Sequence, residues 1–307
     1  MINYKNKYWG KYIMNKKVNK VIAAILIILV IIGTIWDYSI SQTLYNPDSV
    51  FANFIYRFGN LYTLLICPFF CIFAFMATRK SGPVWRNTLT TTLQWIFIIG
   101  LSGVGLVYYP AVMLNDGNLN LLRILWFTVL AVVIVFCLYR ITHWIAQENR
   151  TELRRYAIAL LIAIIVAILA VEIIKELWGR PRFYTVYDGL AEFQPWYRYQ
   201  GVAASDLFKS FPSGHACESA LIFGIIYLPL MDRRLEKYCT LFYIVGCGWP
   251  ACVMLARVIA GAHHLTDVAM GALLTLFCYE VIAMGIVRKM KNKNSHEEDD
   301  VEVSKAA

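Results

Sequence analysis

Long apolar segments constrain the fold of this sequence more than any other feature. A helix that crosses a hydrocarbon core ~30 Å thick needs roughly 20 apolar residues. Backbone N–H and C=O groups must pair internally when lipid surrounds them, so segments of this kind are helical. The sequence therefore predicts an all-α fold, a polytopic membrane helical bundle with about eight transmembrane helices. The predicted segments are residues 21–36, 61–78, 93–114, 121–139, 157–178, 215–231, 238–255 and 267–287.

The composition excludes the main alternative classes. Of the 307 residues, 59% are hydrophobic and 16% are charged, whereas a soluble domain is about 45–50% apolar and about 25% charged. A water-soluble enzyme could not cover so much apolar surface with so few charges. Aromatic residues make up 15% of the chain, which is incompatible with a disordered protein.

The basic residues predict the orientation of the bundle. The chain has 29 Lys and Arg against 20 Asp and Glu, a net charge of +9. With the predicted segments in place, 21 of the 29 fall on one side, which the positive-inside rule makes cytoplasmic. We therefore expect a multi-pass protein of the cell membrane with both termini in the cytoplasm. No nucleic-acid partner is needed to explain the positive charge.

Three short polar segments lie at helix ends on the opposite, extracytoplasmic side. They are residues 175–182, 209–215 and 257–267. Their Lys and Arg side chains concentrate positive charge, and a guanidinium group binds phosphate oxygens in a bidentate manner. Ser213 and Gly214 precede a helix, whose first backbone N–H groups favour an anion. Any one segment alone would be an ordinary membrane anchor or turn, but all three on one face predict a phosphate site.

Two histidines complete this predicted site. A neutral imidazole can attack phosphorus and an imidazolium can protonate a leaving oxygen, which makes His263 and His215 candidates for these roles. Asp267 lies four residues after His263 and would fix the tautomer of its ring. No cluster has the spacing of metal ligands, so we predict no metal and no other cofactor. Lys and Arg would then stabilise the developing charge.

These segments resemble the three signatures of the type 2 phosphatidic acid phosphatase superfamily, over roughly residues 155–287. The signatures read Lys-x6-Arg-Pro, Pro-Ser-Gly-His and Ser-Arg-x5-His-x3-Asp. Pro212-Ser213-Gly214-His215 matches the second in full, and the third matches except that Ala256 replaces Ser. In the first, the residue at the Arg position is followed by Phe183 instead of Pro.

The resemblance implies a role for each site residue. His263 would be the nucleophile that forms a phosphohistidine, Asp267 would orient it, and His215 would be the general acid for the leaving group. The first signature leaves two arginines open: the spacing favours Arg182, but the Arg-Pro pair itself begins at Arg180, two residues early. The residues expected to hold the phosphoryl oxygens are Lys175, Arg182, Ser213, Gly214 and Arg257, with Arg180 as the alternative to Arg182.

The family resemblance also predicts the organisation of the chain. Family members commonly have a six-helix core whose third helix ends in the first signature, whereas here the fifth helix does, so two helices would be added upstream. We expect a basic cytoplasmic N-terminus at 1–20, N-terminal transmembrane helices at 21–154, a catalytic phosphatase region at 155–287 and a cytoplasmic tail at 288–307.

The predicted function is hydrolysis of a lipid phosphate or diphosphate at the extracytoplasmic face, by an integral membrane phosphatase that needs no metal. The expected partners are the lipid phosphate substrate and the bilayer. Candidate substrates are polyprenyl diphosphate, phosphatidylglycerol phosphate, phosphatidic acid and phosphates of the lipid A type. Two alternatives use the same pocket: a transferase that passes the phosphoryl group to another lipid or sugar, and a transporter that binds phosphate compounds without chemistry.

Overall fold

The structure is a computed structural model, which describes residues 2–59, 61–79, 82–114 and 120–282. Within these ranges the regular structure is helical and no strand occurs, so the predicted all-α class is confirmed. The predicted tail at 288–307 and the last residues of the eighth segment lie outside the described residues. The α-helices are α1 (Ile2–Leu44), α2 (Val50–Phe58), α3 (Leu61–Ala77), α4 (Val84–Leu101), α5 (Tyr109–Met113), α6 (Leu121–Trp178), α7 (Phe183–Tyr187), α8 (Gly214–Ala220), α9 (Leu228–Met231), α10 (Cys239–Ile259) and α11 (Leu265–Ile282).

Six helical stretches of the described chain are long and apolar enough to cross a membrane. They are Lys17–Leu44, Val84–Val112, Leu121–Gln147, Leu153–Tyr187, Arg234–Ile259 and Leu265–Ile282. The shorter apolar helix Leu65–Ala77 coincides with another predicted segment. The segment predicted at 215–231 is divided between α8, a 3-10 stretch (Leu221–Tyr227) and α9. A membrane helical bundle is thus confirmed, whereas the number eight is not established.

Helix α6 contains two of the predicted segments without a break in its helical hydrogen bonding. The sequence predicts a connection between residues 139 and 157, but α6 runs for 58 residues from Leu121 to Trp178. Its second half ends because Gly179 adopts a left-handed conformation (φ 66°), which favours glycine, and Pro181 follows. This stop places Lys175 in the last turn of α6, and Arg180 and Arg182 immediately beyond the helix end.

Small residues let the helices that carry the site approach closely. A Cβ at Gly271 of α11 would overlap the carbonyl oxygen of Ser213, just before α8. A Cβ at Gly33 of α1 would lie 2.6 Å from the Cγ2 of Thr266, at the start of α11. Because glycine has no side chain at these two positions, the backbones of α1, α8 and α11 can approach one another closely at one end of the bundle.

Helix α2 packs against α10 through an apolar cluster. Ala52 and Ile55 of α2 are buried with Val253 and Ala256 of α10. The α2 N-terminus is capped by Ser49, whose Oγ accepts a hydrogen bond from the backbone N–H of Ala52 at 3.2 Å. This short helix therefore sits rigidly beside the last turn of α10.

Candidate active site

The three polar segments meet at one end of the bundle, as the sequence predicts. The backbone N–H of Ser213 donates to the carbonyl of Asp267 at 2.9 Å, and that of Ser210 donates to the carbonyl of Arg180 at 3.0 Å. The ring of His263 lies 2.7 Å from the carbonyl oxygen of Ser210. Backbone hydrogen bonds between the segments thus hold the functional side chains in one cluster.

His263 lies between α10 and α11 and is 1% exposed. Its Nδ1 faces the carbonyl oxygen of Ser210, which can only accept, so Nδ1 carries the proton and the lone pair is on Nε2. Burial, and then the positive charges of Arg257, Arg182 and Lys175, lower the pKa of His263 well below its ordinary value of 6.5. The ring is therefore neutral at pH 7 and has a nucleophilic Nε2.

Arg257 ends α10 beside this lone pair. Its Nη2 is 3.4 Å from Nε2 of His263, and the side chain is fully enclosed. Among the residues that the structure describes, no acceptor is within hydrogen-bond reach of its Nε or Nη1. A buried guanidinium with unpaired N–H groups is unfavourable unless an anion completes it. The geometry therefore suits a phosphoryl oxygen between Arg257 and His263.

Arg182 and Lys175 add positive charge around the same point. Arg182 is buried, and its Nε and Nη2 donate to the backbone carbonyl and the exposed carboxylate of Asp206, at 2.9 and 2.8 Å. The Nζ of Lys175 is 3.1 Å from Glu172 and lies 3.0 Å from the place that a Cβ on Gly214 would take. Gly214 thus allows the ammonium group of Lys175 to approach the start of α8.

Ser213 caps α8, and its Oγ accepts from the N–H of Ala216 at 3.3 Å. Its backbone N–H is already bonded to Asp267, so among its own donors the hydroxyl hydrogen remains for a phosphoryl oxygen. The structure thereby brings together, around His263, the predicted phosphate-binding residues Lys175, Arg182, Ser213, Gly214 and Arg257.

Arg180 faces away from this cluster and is occupied by protein acceptors. Its Nε donates to the carbonyl of Gln194 at 2.9 Å, and its Nη2 pairs with Asp37 at 2.9 Å. Its Nη1 donates to Thr266 at 2.8 Å and pairs with the carboxylate of Asp267. Of the two arginines that the sequence leaves open, Arg180 is thus engaged with two buried carboxylates.

Asp267 reaches His263 through an intermediate residue. Its Oδ2 is 3.9 Å from the Nδ1 of His263, too far for a hydrogen bond, and instead accepts from Ser210 Oγ at 2.6 Å. The same oxygen accepts from the backbone N–H of His264 at 2.8 Å. Ser210 therefore stands between carboxylate and imidazole: its hydroxyl donates to Asp267 while its carbonyl holds His263.

His215 begins α8 and stacks on an aromatic ring from another helix. Its ring centroid is 6.0 Å from that of Tyr56, and the two planes differ by 16°. The Cζ of Arg257 lies 4.0 Å from the centroid of the same Tyr56 ring. The candidate general acid and the candidate phosphate ligand thus share one aromatic neighbour.

Four further residues lie around the site and are not among those predicted from the sequence: Ser210, Asp37, Thr266 and Tyr56. Ser210 lies inside the second polar segment, so its place was available from the sequence. Asp37 directly follows the predicted segment at 21–36, and the structure places it within α1, where an acidic residue signals a functional or paired group. Tyr56 carries no such signal, because aromatic residues are common where a helix meets the headgroup layer.

The described residues contain no group of three or more His, Cys, Asp or Glu side chains arranged to hold a metal ion. On the Nε2 side of His263 the nearest charged group is the Arg257 guanidinium, at 3.4 Å, while the Asp267 carboxylate lies 3.9 Å from Nδ1. Charge stabilisation by Arg and Lys is therefore the chemistry that these side chains themselves can supply.

Part of the chain is similar to known proteins. Residues 156–290 match the model of the PAP2 superfamily, the type 2 phosphatidic acid phosphatases. The lipid A 4'-phosphatase of Rhizobium etli is 26% identical over 188 residues, which cover 59% of this chain and 70% of that protein. No solved structure matches the chain. The chain is therefore an all-α polytopic membrane protein that carries a PAP2 superfamily domain at residues 156–290.

Proposed function

We propose that this protein is an integral membrane phosphatase that hydrolyses a lipid phosphate or diphosphate through a phosphohistidine. One observation carries the proposal: the buried Arg257 has unpaired N–H groups beside the neutral, unprotonated Nε2 of His263. An anionic phosphoryl group would satisfy the guanidinium and at the same time present phosphorus to the nucleophile. The PAP2 superfamily match supports the same reaction.

The first step is transfer of the phosphoryl group to His263. Arg257, Arg182 and Lys175 bind its oxygens and offset their negative charge. Nε2 of His263 attacks in line, the P–N bond forms, and the P–O bond to the lipid breaks. Burial, and then the charges of Arg257, Lys175 and Arg182, lower the pKa of His215 to about 2 when the site holds no anion. The negative charge of the bound phosphoryl group offsets these cations, so that His215 takes up a proton in the complex and gives it to the departing oxygen.

The second step is hydrolysis of the phosphohistidine. His215, now neutral, takes a proton from water as the water oxygen attacks phosphorus and the P–N bond breaks. Phosphate leaves and Nε2 regains its lone pair. In both steps the phosphorylated ring carries positive charge, which the carbonyl of Ser210 and the Asp267 carboxylate 3.9 Å away stabilise.

The proposed substrate is a lipid whose phosphate reaches the site sideways from the bilayer. The relative from Rhizobium etli is a lipid A 4'-phosphatase, which supports a phosphate on a lipid headgroup. Polyprenyl diphosphate, phosphatidylglycerol phosphate and phosphatidic acid share this chemistry. The distribution of Lys and Arg supports an extracytoplasmic site.

Phosphate release by the detergent-solubilised protein in excess chelator tests the proposal on a panel of these lipids. We expect turnover of at least one lipid. In His263→Ala we expect the activity to fall by about 10³-fold or more, because no other group forms the P–N bond. His143→Ala is the matched control, because His143 lies in the first half of α6 and contacts the Tyr139 carbonyl.

Absence of turnover on every lipid, or full activity of His263→Ala, would overturn the phosphatase proposal. Activity only after metal addition would overturn its metal independence. Phosphorylated lipid or sugar in place of inorganic phosphate would indicate a transferase. Binding of lipid phosphates without any 32P on His263 would indicate a transporter.

A further inference from the structure

A tyrosine from outside the family domain contacts two residues of the proposed site. Tyr56 belongs to α2, whereas the PAP2 superfamily match begins at residue 156. The centroid of its ring lies 4.0 Å from the Cζ of Arg257, and the ring stacks on the imidazole of His215. We propose that Tyr56 is a positioning residue, which holds the general acid and the main phosphate ligand in a fixed relative geometry. This inference rests on the proposed phosphatase function.

The contact with Arg257 covers the face of a guanidinium whose edge is held by protein at Nη2, 3.4 Å from Nε2 of His263. A guanidinium within about 6 Å of an aromatic centroid is attracted to the negative face of the ring. The N–H groups of arginine lie in the guanidinium plane, so covering one face leaves the edge available. The buried and unpaired Nε and Nη1 of Arg257 are on that edge. Tyr56 therefore fixes the plane without competing for the phosphate.

The contact with Tyr56 also restricts the rotation of the His215 imidazole, the candidate general acid. The two rings are nearly parallel, at 16°, with centroids 6.0 Å apart, which is an offset-stacked arrangement. Rotation of the imidazole about its Cβ–Cγ bond would break this stacking. Because a general acid works only when its N–H points at the leaving oxygen, a restricted ring favours proton transfer.

The position of Tyr56 follows from how α2 packs on α10. Ala52 and Ile55 are buried against Val253 and Ala256, and Tyr56 is one turn beyond Ala52 on the adjoining face. Arg257 directly follows Ala256, so the same helix contact that buries Ala256 brings Arg257 over the ring. Ala256 is also the position at which the family signature has Ser. The residue that departs from the signature, Ala256, thus lies on the surface of α10 against which α2 packs.

The test compares kcat/KM of purified full-length variants on two substrates with different leaving groups. Tyr56→Phe keeps the ring, and we expect kcat/KM within about 2-fold of wild type on both substrates. Tyr56→Leu removes the ring. For dioctanoyl phosphatidic acid, whose alkoxide must be protonated, we expect kcat/KM to fall about 10- to 100-fold. For p-nitrophenyl phosphate, whose leaving group needs no proton, the fall is severalfold smaller.

Phe54→Leu is the matched control. Phe54 is on the same helix, is 48% exposed, and contacts Phe58. We expect Phe54→Leu to behave as wild type on both substrates. An equal fall on both substrates in Tyr56→Leu, or no fall, would overturn the positioning role. If Tyr56→Leu does not fold, Tyr56→Met fills a similar volume without a ring and carries the same expectations.

Binding of inorganic phosphate separates failure of this inference from failure of the proposed function. The affinity for phosphate depends on the orientation of Arg257 whether or not the protein turns over a lipid. We expect a severalfold weaker Kd in Tyr56→Leu, and an unchanged Kd in Tyr56→Phe and Phe54→Leu. Wild type that binds phosphate but hydrolyses no lipid would overturn the phosphatase alone. An unchanged Kd in Tyr56→Leu would overturn the role of Tyr56.

Discussion

At the scale of single residues, a chain of polar contacts connects His263 to the first helix. His263 bonds to the carbonyl of Ser210, whose hydroxyl bonds to Asp267. Asp267 pairs with Arg180, and Arg180 pairs with Asp37 of α1. Every member is buried, so each charge is compensated only by its neighbours. The orientation of His263 therefore depends on a carboxylate far from it in sequence.

Asp37→Asn tests this chain of contacts. The substitution keeps the shape but leaves the buried Arg180 with one carboxylate instead of two, and loss of a buried partner costs about 3–5 kcal/mol. We expect a lower unfolding temperature in detergent and a reduced kcat, measured by thermal denaturation and phosphate release. Asp48→Asn is the control, because Asp48 lies in the exposed connection after α1. Equal stability of both variants would contradict a role for Asp37 in the site.

At the scale of elements, the site is built where helix ends meet. α6 ends at Trp178, α8 begins at Gly214, and the turn from α10 to α11 carries His263. Polar side chains are tolerated at these ends because the unpaired backbone groups there need partners in any case. Close approach of α11 to Ser213 at Gly271 then fixes the distance between the second and third polar segments.

Gly271→Ala is predicted to disrupt this contact. A methyl group at Gly271 would overlap the carbonyl oxygen of Ser213, and backbone cannot move as a flexible side chain does. We expect α11 to shift away from α8, with about 1–3 kcal/mol lost in stability and at least a tenfold lower kcat/KM. Gly100→Ala is the control, because a Cβ there meets no atom within 4 Å. Comparable activity of the two variants would contradict the packing argument.

At the scale of the whole molecule, the candidate site lies at one end of the bundle and involves helices from both halves of the chain. The long connection from α7 to α8 lies at the end that carries the site, and Lys237 precedes α10 at the other end. The N-terminal helices contact the candidate site, since Asp37 of α1 pairs with Arg180 and the ring of Tyr56 of α2 lies against Arg257. The candidate site is therefore in contact with helices that precede the region matched to the PAP2 superfamily, residues 156–290.

Labelling of intact cells tests the orientation of the bundle. A membrane-impermeant maleimide should react with Ser205→Cys, in the exposed connection before α8, and not with Lys237→Cys until the membrane is permeabilised. The parent chain, with its native cysteines, gives the background. The reverse pattern would place the site in the cytoplasm and contradict the positive-inside reasoning.

The sequence by itself determined the membrane class, six of the long helices and the residues that gather around His263. Hydropathy and short signatures are local properties, and a bilayer requires helices wherever the chain is apolar for long enough. The number of spans differs, because the predicted segments at 61–78 and 215–231 form a shorter apolar helix and an interrupted helix in the structure.

Only the tertiary structure decided which side chains touch. Arg180 and Arg182 are two residues apart and chemically identical, yet one pairs with buried carboxylates and the other lies near His263. Ser210 separates Asp267 from His263 although the sequence spacing suggested direct contact. Asp37 and Tyr56 contact Arg180 and Arg257, which are more than 140 residues away from them in the sequence. Contacts of this kind arise from how helices pack against one another, which no local pattern encodes.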